Sequence, residues 1–389
     1  MHRHTRSWRR FWWTAGIALL PGWLWPRPTL AQEPATVTVA HVAPLTGPVG
    51  IYSQSIHQGM GAYFQWINSR GGVRGHRIDL LGVDIPYDLE PAKVLEKYTQ
   101  TASRYKPVAF AYPISSQVFD ALVDSRTLTQ LGVPIVGTIP QMYPRRGVVN
   151  PLVFFVGASD IREVTRIVEH MGAVGRRRIA VAYWDDSNNQ GLLAPIRQAA
   201  AALGMEVVGA YPIAPTGTGD LAGVISSIKA QQPQGVVCLM PAQDTVRVLT
   251  AIRADGSTAA LYGPSYNDPG LLPPADRDRL RGVAVAQIVP NPNHPLLPLA
   301  QEFRTHFAAH ASNAGFNSYS FQGYIAARLI VQALNRCANP KNPACLRDEL
   351  EKTGSHYLGG LTAHYSPTNH DGLSYVDIGM VSWSGKVIY

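Results

Sequence analysis

The chain has little cysteine and, beyond its N-terminal region, no long apolar segment. Three of its 389 residues are cysteine. After the N-terminal region, no segment reaches the about 18 consecutive apolar residues that a membrane-spanning helix needs. Low-complexity stretches and short-period repeats are also absent. We therefore expect no repeat architecture and no stable insertion into a membrane.

Residues 1–31 have the pattern of a secretory signal peptide. Arginines near the N-terminus precede a mainly apolar segment over residues 11–25, which is too short to cross a bilayer as a helix. Thr29 and Ala31 are small residues that suit a cleavage site, and we predict cleavage after Ala31. The adjacent Arg9 and Arg10 leave twin-arginine export open beside the ordinary secretory route. The mature protein is expected in the periplasm.

Much of the positive charge belongs to this segment. The whole chain has a formal net charge of +8, but residues 1–31 contain five arginines and no acid, which leaves +3 for the mature chain. A balance so close to neutral gives weak support for nucleic-acid binding. We expect no nucleic-acid partner.

The three cysteines have different predicted roles. Cys238 lies in an apolar run and is expected to be a buried hydrophobic residue. Cys337 and Cys345 flank a turn-rich loop, and in an oxidising compartment we expect them to form a disulfide. Zinc is the alternative for this pair, but no histidine or further cysteine stands at ligand spacing. The sequence therefore predicts no metal site and no cofactor.

The mature chain alternates apolar runs with amphipathic helical patterns. About 358 residues exceed the usual size of a single hydrophobic core, so two domains are expected. Apolar strands joined by helices indicate α/β architecture with parallel sheets covered on both faces. The predicted strands cover residues 37–42, 78–83, 108–112, 134–137, 179–184, 207–211, 236–240 and 283–289.

Loops that follow the predicted strands are candidate binding segments, because ligands of open α/β sheets collect at the carboxyl ends of strands. The segment 112–117 ends a strand and opens a helix with Ser115 and Ser116. Hydroxyl groups and unpaired backbone N–H groups at a helix N-terminus favour an anion. The alternative is that either serine only caps the helix.

Several sequence blocks resemble a known family. They are Leu45-Thr46-Gly47-Pro48, Gly59 with Ala62, the turn Asn68-Ser69-Arg70-Gly71-Gly72-Val73-Arg74-Gly75, Gly132-Val133-Pro134, Gly204-Met205-Glu206-Val207, Gly323-Tyr324-Ile325-Ala326-Ala327-Arg328 and Gly359-Gly360-Leu361-Thr362. Together they resemble the type I periplasmic binding proteins of the branched-chain amino acid (Leu/Ile/Val-binding) class, the receptors of ABC importers. The resemblance covers essentially the whole mature chain.

The resemblance implies two doubly wound three-layer lobes, joined by three crossovers, with a ligand cleft between them. Lobe 1 would contain residues 36–155 and 287–361. Lobe 2 would contain residues 156–286 and 362–389, so the third crossover would fall at Leu361–Thr362. Such lobes close on a small molecule by bending at a hinge.

The resemblance also implies a set of ligand-binding residues. They are Tyr52, Ser115, Ser116 and Thr138 in lobe 1, and Trp184, Asp185, Gln190, Gln243 and Tyr266 in lobe 2. Amino-acid receptors of this class commonly have an acid just after a Gly-Pro pair, where this chain has the neutral Ser265. We therefore favour a small carboxylic acid with an aromatic or aliphatic body and no α-ammonium group over leucine-type ligands. Asp185 or Asp268 could still supply the missing charge.

Three functions are compatible with these observations. The first is a solute receptor that delivers a small molecule, such as an amino acid or another organic acid, to the membrane permease of an ABC transporter. The second is a periplasmic sensor that presents its bound form to a membrane receptor. The third, an enzyme, is disfavoured because the neighbouring carboxylates Asp185-Asp186 fit a solvated turn better than acid–base catalysis and no complete catalytic motif is present. We expect a monomer without catalytic activity.

Overall fold

The computed structural model of the chain describes residues 35–47, 49–139, 141, 149–214, 220–254, 256–311 and 315–388. The predicted signal peptide lies outside the described residues. The fold consists of two lobes, each built on one sheet with helices on both faces.

A five-stranded parallel sheet forms the first lobe, with the strand order β2-β1-β3-β4-β5. Its strands are β1 (Thr36–Ala43), β2 (Arg77–Asp84), β3 (Ala109–Ala111), β4 (Ile135–Val136) and β5 (Val153–Phe154). The strands β3, β4 and β5 are apolar and buried along their length, as expected for a sheet covered on both faces.

The second lobe contains a seven-stranded sheet with the order β14-β13-β10-β9-β8-β6-β7. Its strands are β6 (Arg178–Trp184), β7 (Glu206–Ile213), β8 (Gly235–Leu239), β9 (Ala260–Gly263), β10 (Ala284–Gln287), β13 (Asp377–Val381) and β14 (Val387–Ile388). The first five are parallel to one another, whereas β13 pairs antiparallel with β10 and with β14. A separate two-stranded sheet pairs β11 (Ser355–Tyr357) with β12 (Thr362–His364).

Helices cover both faces of each sheet. Their bounds are α1 (Gly50–Asn68), α2 (Pro91–Tyr105), α3 (Ser116–Asp124), α4 (Thr127–Leu131), α5 (Asp160–Ala173), α6 (Ser187–Ala202), α7 (Leu221–Ala230), α8 (Ala242–Arg253), α9 (Pro274–Arg279), α10 (Pro298–His310), α11 (Ser318–Leu334) and α12 (Pro343–Thr353). In the first lobe, α1 and α10 to α12 pack on one face and α2 to α4 on the other. In the second lobe, α5 and α6 cover one face and α7 and α8 the other.

Helices α1 and α11 approach each other at two glycines. A Cβ atom at Gly59 would collide with the backbone carbonyl of Ser320, and one at Gly323 would collide with that of Ile56. The backbones can come this close only because neither position carries a side chain. This contact explains why small residues recur in the two sequence blocks that contain these glycines.

The chain crosses between the lobes along adjacent segments. The backbone N–H of Phe155 donates to the carbonyl of His370, and the N–H of Gly372 donates to the carbonyl of Phe155. The Leu373 N–H then donates to the Val156 carbonyl at 2.9 Å. The first and third crossing segments therefore form a short parallel ladder. Gly372 is required there because a Cβ atom would meet the carbonyl oxygens of the first segment.

The third crossing lies later than the sequence suggests. Ala363, Tyr365 and Leu373 belong to the core on which the five-stranded sheet packs, so residues just after Leu361–Thr362 remain with the first lobe. The chain joins the seven-stranded sheet only at Asp377, where β13 begins. The reason is the β11–β12 pair, which folds the chain back onto the first lobe before it crosses.

Cys337 and Cys345 are joined by a disulfide in the loop between α11 and α12. Cys238 is a buried free cysteine on β8, where burial raises the pKa of its thiol to about 12. Within the described ranges, no helix is both long enough and apolar enough to span a bilayer.

Candidate functional site

A cavity of about 90 Å³ lies between the two lobes, where the carboxyl ends of both sheets meet. The first lobe lines it with Val49, Tyr52, Tyr87, Ile114, Ser115, Ser116 and Ile139. The second lobe lines it with Trp184, Asp186, Asn188, Asn189, Met240, Pro241 and Tyr266. Ligands of α/β sheets bind at this end of the strands, so the cavity is the candidate site.

The first polar wall is the N-terminus of α3. Ser115 caps this helix: its Oγ accepts from the Val118 N–H at 3.2 Å, and its carbonyl accepts from the Phe119 N–H at 3.1 Å. The N–H groups of Ser116 and Gln117 begin the helix and have no acceptor within it. These two N–H groups and the Ser116 hydroxyl form a set of donors that suits an anion.

Backbone strain marks the same turn. Ser115 has a φ of 104°, in a region that residues other than glycine rarely adopt and that costs about 1–3 kcal/mol. Its own N–H donates to the Ile139 carbonyl at 3.0 Å, which ties the turn to the loop after β4. The strain is held at a cavity wall, as is typical of binding sites.

Four aromatic side chains, those of Tyr52, Tyr87, Trp184 and Tyr266, supply flat apolar surface. Tyr52 reaches across the cleft: its hydroxyl donates to the Tyr266 carbonyl at 3.1 Å and accepts from the Ala242 N–H at 3.4 Å. Tyr87 packs edge-on against Trp184, with ring centroids 6.3 Å apart. The aromatic side chains thus hold the two lobes in contact around the cavity.

The second polar wall is the start of α6. Asp186 caps this helix, and its carboxylate accepts from the backbone and side-chain N–H groups of Asn189, each at 2.9 Å. Burial raises the pKa of the Asp186 carboxyl to about 6, although hydrogen bonds from Asn189 and Asn188 oppose this rise. Asn188 is buried, and its Nδ2 donates to the Asp160 carboxylate at 3.1 Å.

A buried acid supports the loop after β9. Glu163 accepts from the Ser265 N–H at 2.6 Å. Burial, and then the nearby charge of Asp160, raise the pKa of Glu163 to about 8. The acid thus holds the backbone that positions Tyr266, whose hydroxyl donates to Asn189 at 3.4 Å.

Five of the residues implied by the family resemblance line the cavity. They are Tyr52, Ser115, Ser116, Trp184 and Tyr266.

The structure does not bring the other four to the cavity wall. Thr138 is fully buried and is not among the residues that line the cavity. Asp185 and Gln190 are exposed, and the Gln190 side-chain amide donates to the Asp185 carboxylate at 2.7 Å. Gln243 is exposed on α8.

Four polar residues that line the cavity were not predicted from the sequence as ligand-binding: Tyr87, Asp186, Asn188 and Asn189. Tyr87 follows the end of β2, and the rule that ligands bind after strands would have pointed to it. Asp186 is recognisable as a helix cap because Asn189 follows it by three residues, at the position that an N-cap side chain contacts. A cap holds its side chain over the first turn of its helix, which places Asp186 rather than Asp185 at the cleft.

Two doubly wound lobes around a cleft define a type I solute-binding architecture. The periplasmic binding protein family model matches residues 36–385, and the chain belongs to this family. This confirms the resemblance to the Leu/Ile/Val-binding class and implies an extracytoplasmic solute-binding protein. No curated protein matches the chain.

Solved structures share the fold over nearly the whole chain. An extracellular ligand-binding receptor from Verminephrobacter eiseniae is 25% identical with a TM-score of 0.82, covering 91% of this chain and 100% of its own. A branched-chain amino acid ABC transporter protein from Thermus thermophilus with bound valine is 16% identical with a TM-score of 0.80. The match covers 91% of this chain and 95% of the Thermus chain. A fatty acid ABC transporter substrate-binding protein from Thermomonospora curvata is 18% identical with a TM-score of 0.78, covering 91% of each chain.

Proposed function

We propose that this protein is the solute receptor of an ABC importer and that it binds a small carboxylate with a flat aromatic or aliphatic body. One observation carries the proposal: the N-terminus of α3 opens with Ser115 and Ser116 onto a cavity whose other walls are largely aromatic and apolar. The helix end supplies donors for the carboxylate, and the rings supply surface for the body.

The hydrogen-bond donors at the N-terminus of α3 can bind a carboxylate although no positively charged side chain stands beside them in the described lining. Among the described lining residues none is lysine, arginine or histidine. The charge would instead be stabilised by the N–H groups of Ser116 and Gln117, which have no acceptor within α3, by the Ser116 hydroxyl and by the helix dipole. Valine, which is bound in the Thermus thermophilus structure, and the fatty acids for which the Thermomonospora curvata protein is named both carry a carboxylate.

Capture would work by closure of the lobes. The cross-lobe contacts of Tyr52 and the hydrogen bond from the Ser187 hydroxyl to Asp120, at 2.9 Å, exist only when the lobes meet. A ligand that touches both walls stabilises this closed state over an open one. The mature protein, cleaved after Ala31, would act in the periplasm as a monomer and deliver its ligand to the membrane permease.

Titration calorimetry with a panel of carboxylates tests this function. The panel contains L-leucine, L-phenylalanine, 4-methylpentanoate, 3-phenylpropanoate and octanoate, together with the primary amides of the last three. We expect at least one carboxylate to bind with micromolar affinity and to reduce the radius of gyration in small-angle scattering. The matching amide should bind at least about tenfold more weakly, because it loses the charge-assisted hydrogen bonds.

Ser116, the first residue of α3, and Ser125, the residue that follows its last turn, provide a matched pair of variants. Ser116→Ala removes a hydroxyl from the cavity wall and should weaken carboxylate binding about tenfold. Ser125→Ala removes a hydroxyl at the other end of the same helix, where it donates to the Leu122 carbonyl, and should leave affinity unchanged. Equal binding of acids and amides, or no binding by any carboxylate of the panel, would contradict the proposed function.

A further inference from the structure

We propose that Asp244 is a positioning residue for ligand recognition. Its carboxylate fixes the indole ring of Trp184 on the cavity wall, and the fixed ring gives the protein a preference for ligands with a flat body. This inference rests on the proposed function and narrows the body of the ligand. Asp244 is not itself among the residues that line the cavity, so it acts through Trp184.

The two residues meet where neighbouring strands end. Trp184 is the last residue of β6, and α8 begins shortly after β8, the strand that pairs with β6. Asp244 lies in the first turn of α8, where a carboxylate also interacts favourably with the helix dipole. Its side chain is 13% exposed, whereas the neighbouring Gln243, which the family resemblance implies as ligand-binding, is exposed. The start of α8 therefore directs Asp244 and not Gln243 toward Trp184.

The hydrogen bond between them favours one orientation of the ring. The Nε1–H of Trp184 donates to Oδ2 of Asp244 at 2.7 Å, and the charge of the carboxylate strengthens this bond. The indole ring has no other polar group, and Trp184 is only 5% exposed. A ring turned over about its bond to Cβ would move the N–H away from Asp244 and leave a buried donor without this acceptor, which is unfavourable. Asp244 therefore selects one direction for the ring.

The direction of the ring matters because Trp184 joins the core of the second lobe to the cavity. It packs in the core beneath α7 and α8, lines the cavity, and meets Tyr87 of the first lobe edge-on, with ring centroids 6.3 Å apart. Aromatic rings attract each other in particular geometries, so a flat ligand needs a ring that faces a defined way. A branched aliphatic body has no such requirement. Loss of Asp244 should therefore weaken the binding of a flat ligand more than that of a branched one.

The other oxygen of Asp244 has a separate partner. Its Oδ1 accepts from Nη1 of Arg247 at 3.0 Å, one turn further along α8. The Arg247 side chain is 47% exposed, and an ion pair so open to water contributes little to stability. Removal of Arg247 should therefore leave the hydrogen bond to Trp184 in place, which makes Arg247→Ala a matched control.

Calorimetry with two pairs of acids tests the preference. The pairs are 3-phenylpropanoate with 4-methylpentanoate and L-phenylalanine with L-leucine, and the two members of a pair differ only in the body. We expect the flat member of at least one pair to bind the wild-type protein about threefold or more tightly than its partner. In Asp244→Ala the affinity for that flat member should fall about tenfold, and the affinity for its branched partner about twofold or less. Asp244→Asn keeps an acceptor oxygen and, like Arg247→Ala, should keep the wild-type preference.

A double-variant cycle with Trp184→Phe tests whether Asp244 acts through the indole. A phenylalanine ring has no N–H group, so it cannot donate to Asp244. Adding Asp244→Ala to Trp184→Phe should therefore lower the affinity for the flat member by less than about twofold, instead of the tenfold loss expected in the wild-type background.

The indole N–H signals report on the ring without any ligand. The mature chain contains three tryptophans, Trp66, Trp184 and Trp383, and so gives three indole peaks in a proton–nitrogen correlation spectrum. The Trp184 peak, assigned by its loss in Trp184→Phe, should exchange with water more slowly than the peak of Trp383, which is 84% exposed. Its proton shift should move upfield in Asp244→Ala, because the charge-assisted hydrogen bond is lost, and stay near the wild-type value in Arg247→Ala. Circular dichroism checks the folding of each variant.

The possible failures are distinguishable. If any carboxylate binds, octanoate alone included, but the wild-type protein shows no preference for a flat member, the role of Asp244 is refuted and the proposed function stands. The same holds if folded Asp244→Ala protein keeps the preference, or if the tenfold loss persists in the Trp184→Phe background. If no carboxylate binds, the proposed function fails and the role of Asp244 fails with it. The wild-type comparison alone can overturn the proposal, so it does not depend on the variants folding.

Discussion

Removal of the Tyr52 hydroxyl should weaken ligand binding without unfolding the protein. In Tyr52→Phe the ring remains and keeps its edge-on contact with Tyr319, whose centroid is 5.1 Å away. The change deletes two hydrogen bonds between the lobes. In one, the Tyr52 hydroxyl donates to the Tyr266 carbonyl at 3.1 Å; in the other, which is longer and weaker, it accepts from the Ala242 N–H at 3.4 Å. Both bonds join the lobes, so their loss acts on closure.

The expected magnitude follows from these two bonds. In the closed state of the variant, a carbonyl and an N–H group would be left without their partner, at a cost of about 1–2 kcal/mol. In an open state both groups reach water, so the cost falls on the closed state alone. Affinity for a ligand that binds the closed state should therefore fall about 5- to 30-fold.

Calorimetry with the tightest-binding carboxylate of the panel measures this loss, and small-angle scattering shows whether saturation still closes the lobes. Tyr98→Phe is the control, because the Tyr98 hydroxyl donates to the Val42 carbonyl at 2.8 Å within one lobe. This control should lower the free energy of unfolding and keep affinity. Wild-type affinity in folded Tyr52→Phe protein would refute the role of the hydroxyl in closure.

Three further predictions concern stability and thiols. Gly59→Ala should destabilise by about 1–3 kcal/mol or more in chemical denaturation, whereas Gly61→Ala, whose Cβ would lie 3.9 Å from its nearest neighbour, should be neutral or stabilising. Glu163 ionises near pH 4.5 when unfolded and near 8 when folded, so stability should fall as pH rises between these values and Glu163→Gln should flatten that fall. Denatured, oxidised protein should titrate one thiol, Cys238, and reduction of Cys337–Cys345 should cost about 2–3 kcal/mol.

Most of the parallel strands could be predicted because their signal is local, whereas the short parallel strands β5 and β9 were not predicted. Strands such as β6 and β8 are buried on both faces, and each therefore appears in the sequence as an unbroken apolar run. The strands β13 and β14 escaped prediction because they are short and lie next to or at the sheet edge, with exposed residues such as Met380 and Ile388. A half-exposed pattern in a short strand gives little periodicity to read.

The binding site could be predicted only in part, for a similar reason. Ser115 and Ser116 were found because a strand end and a helix start coincide there in the sequence. Asp185 and Asp186 are neighbours of the same type, and composition cannot say which of them faces the cleft. That choice is made by the capping geometry of α6, which directs Asp186 toward the first turn and leaves Asp185 paired with Gln190.

The ladder between the first and third crossing segments has a mechanical consequence. Two strands tied by hydrogen bonds at Phe155, Val156, Gly372 and Leu373 cannot slide past or twist around each other independently. Because Phe155, Val156 and Leu373 pack in the cores of the first lobe, this paired ribbon moves with that lobe, and bending falls on the segments that follow it, residues 157–159 and 374–376. We expect the lobes to swing about a single axis, so the two polar walls would meet in the same alignment at each closure. A ligand would then be selected by fit to one rigid gap rather than to a range of shapes.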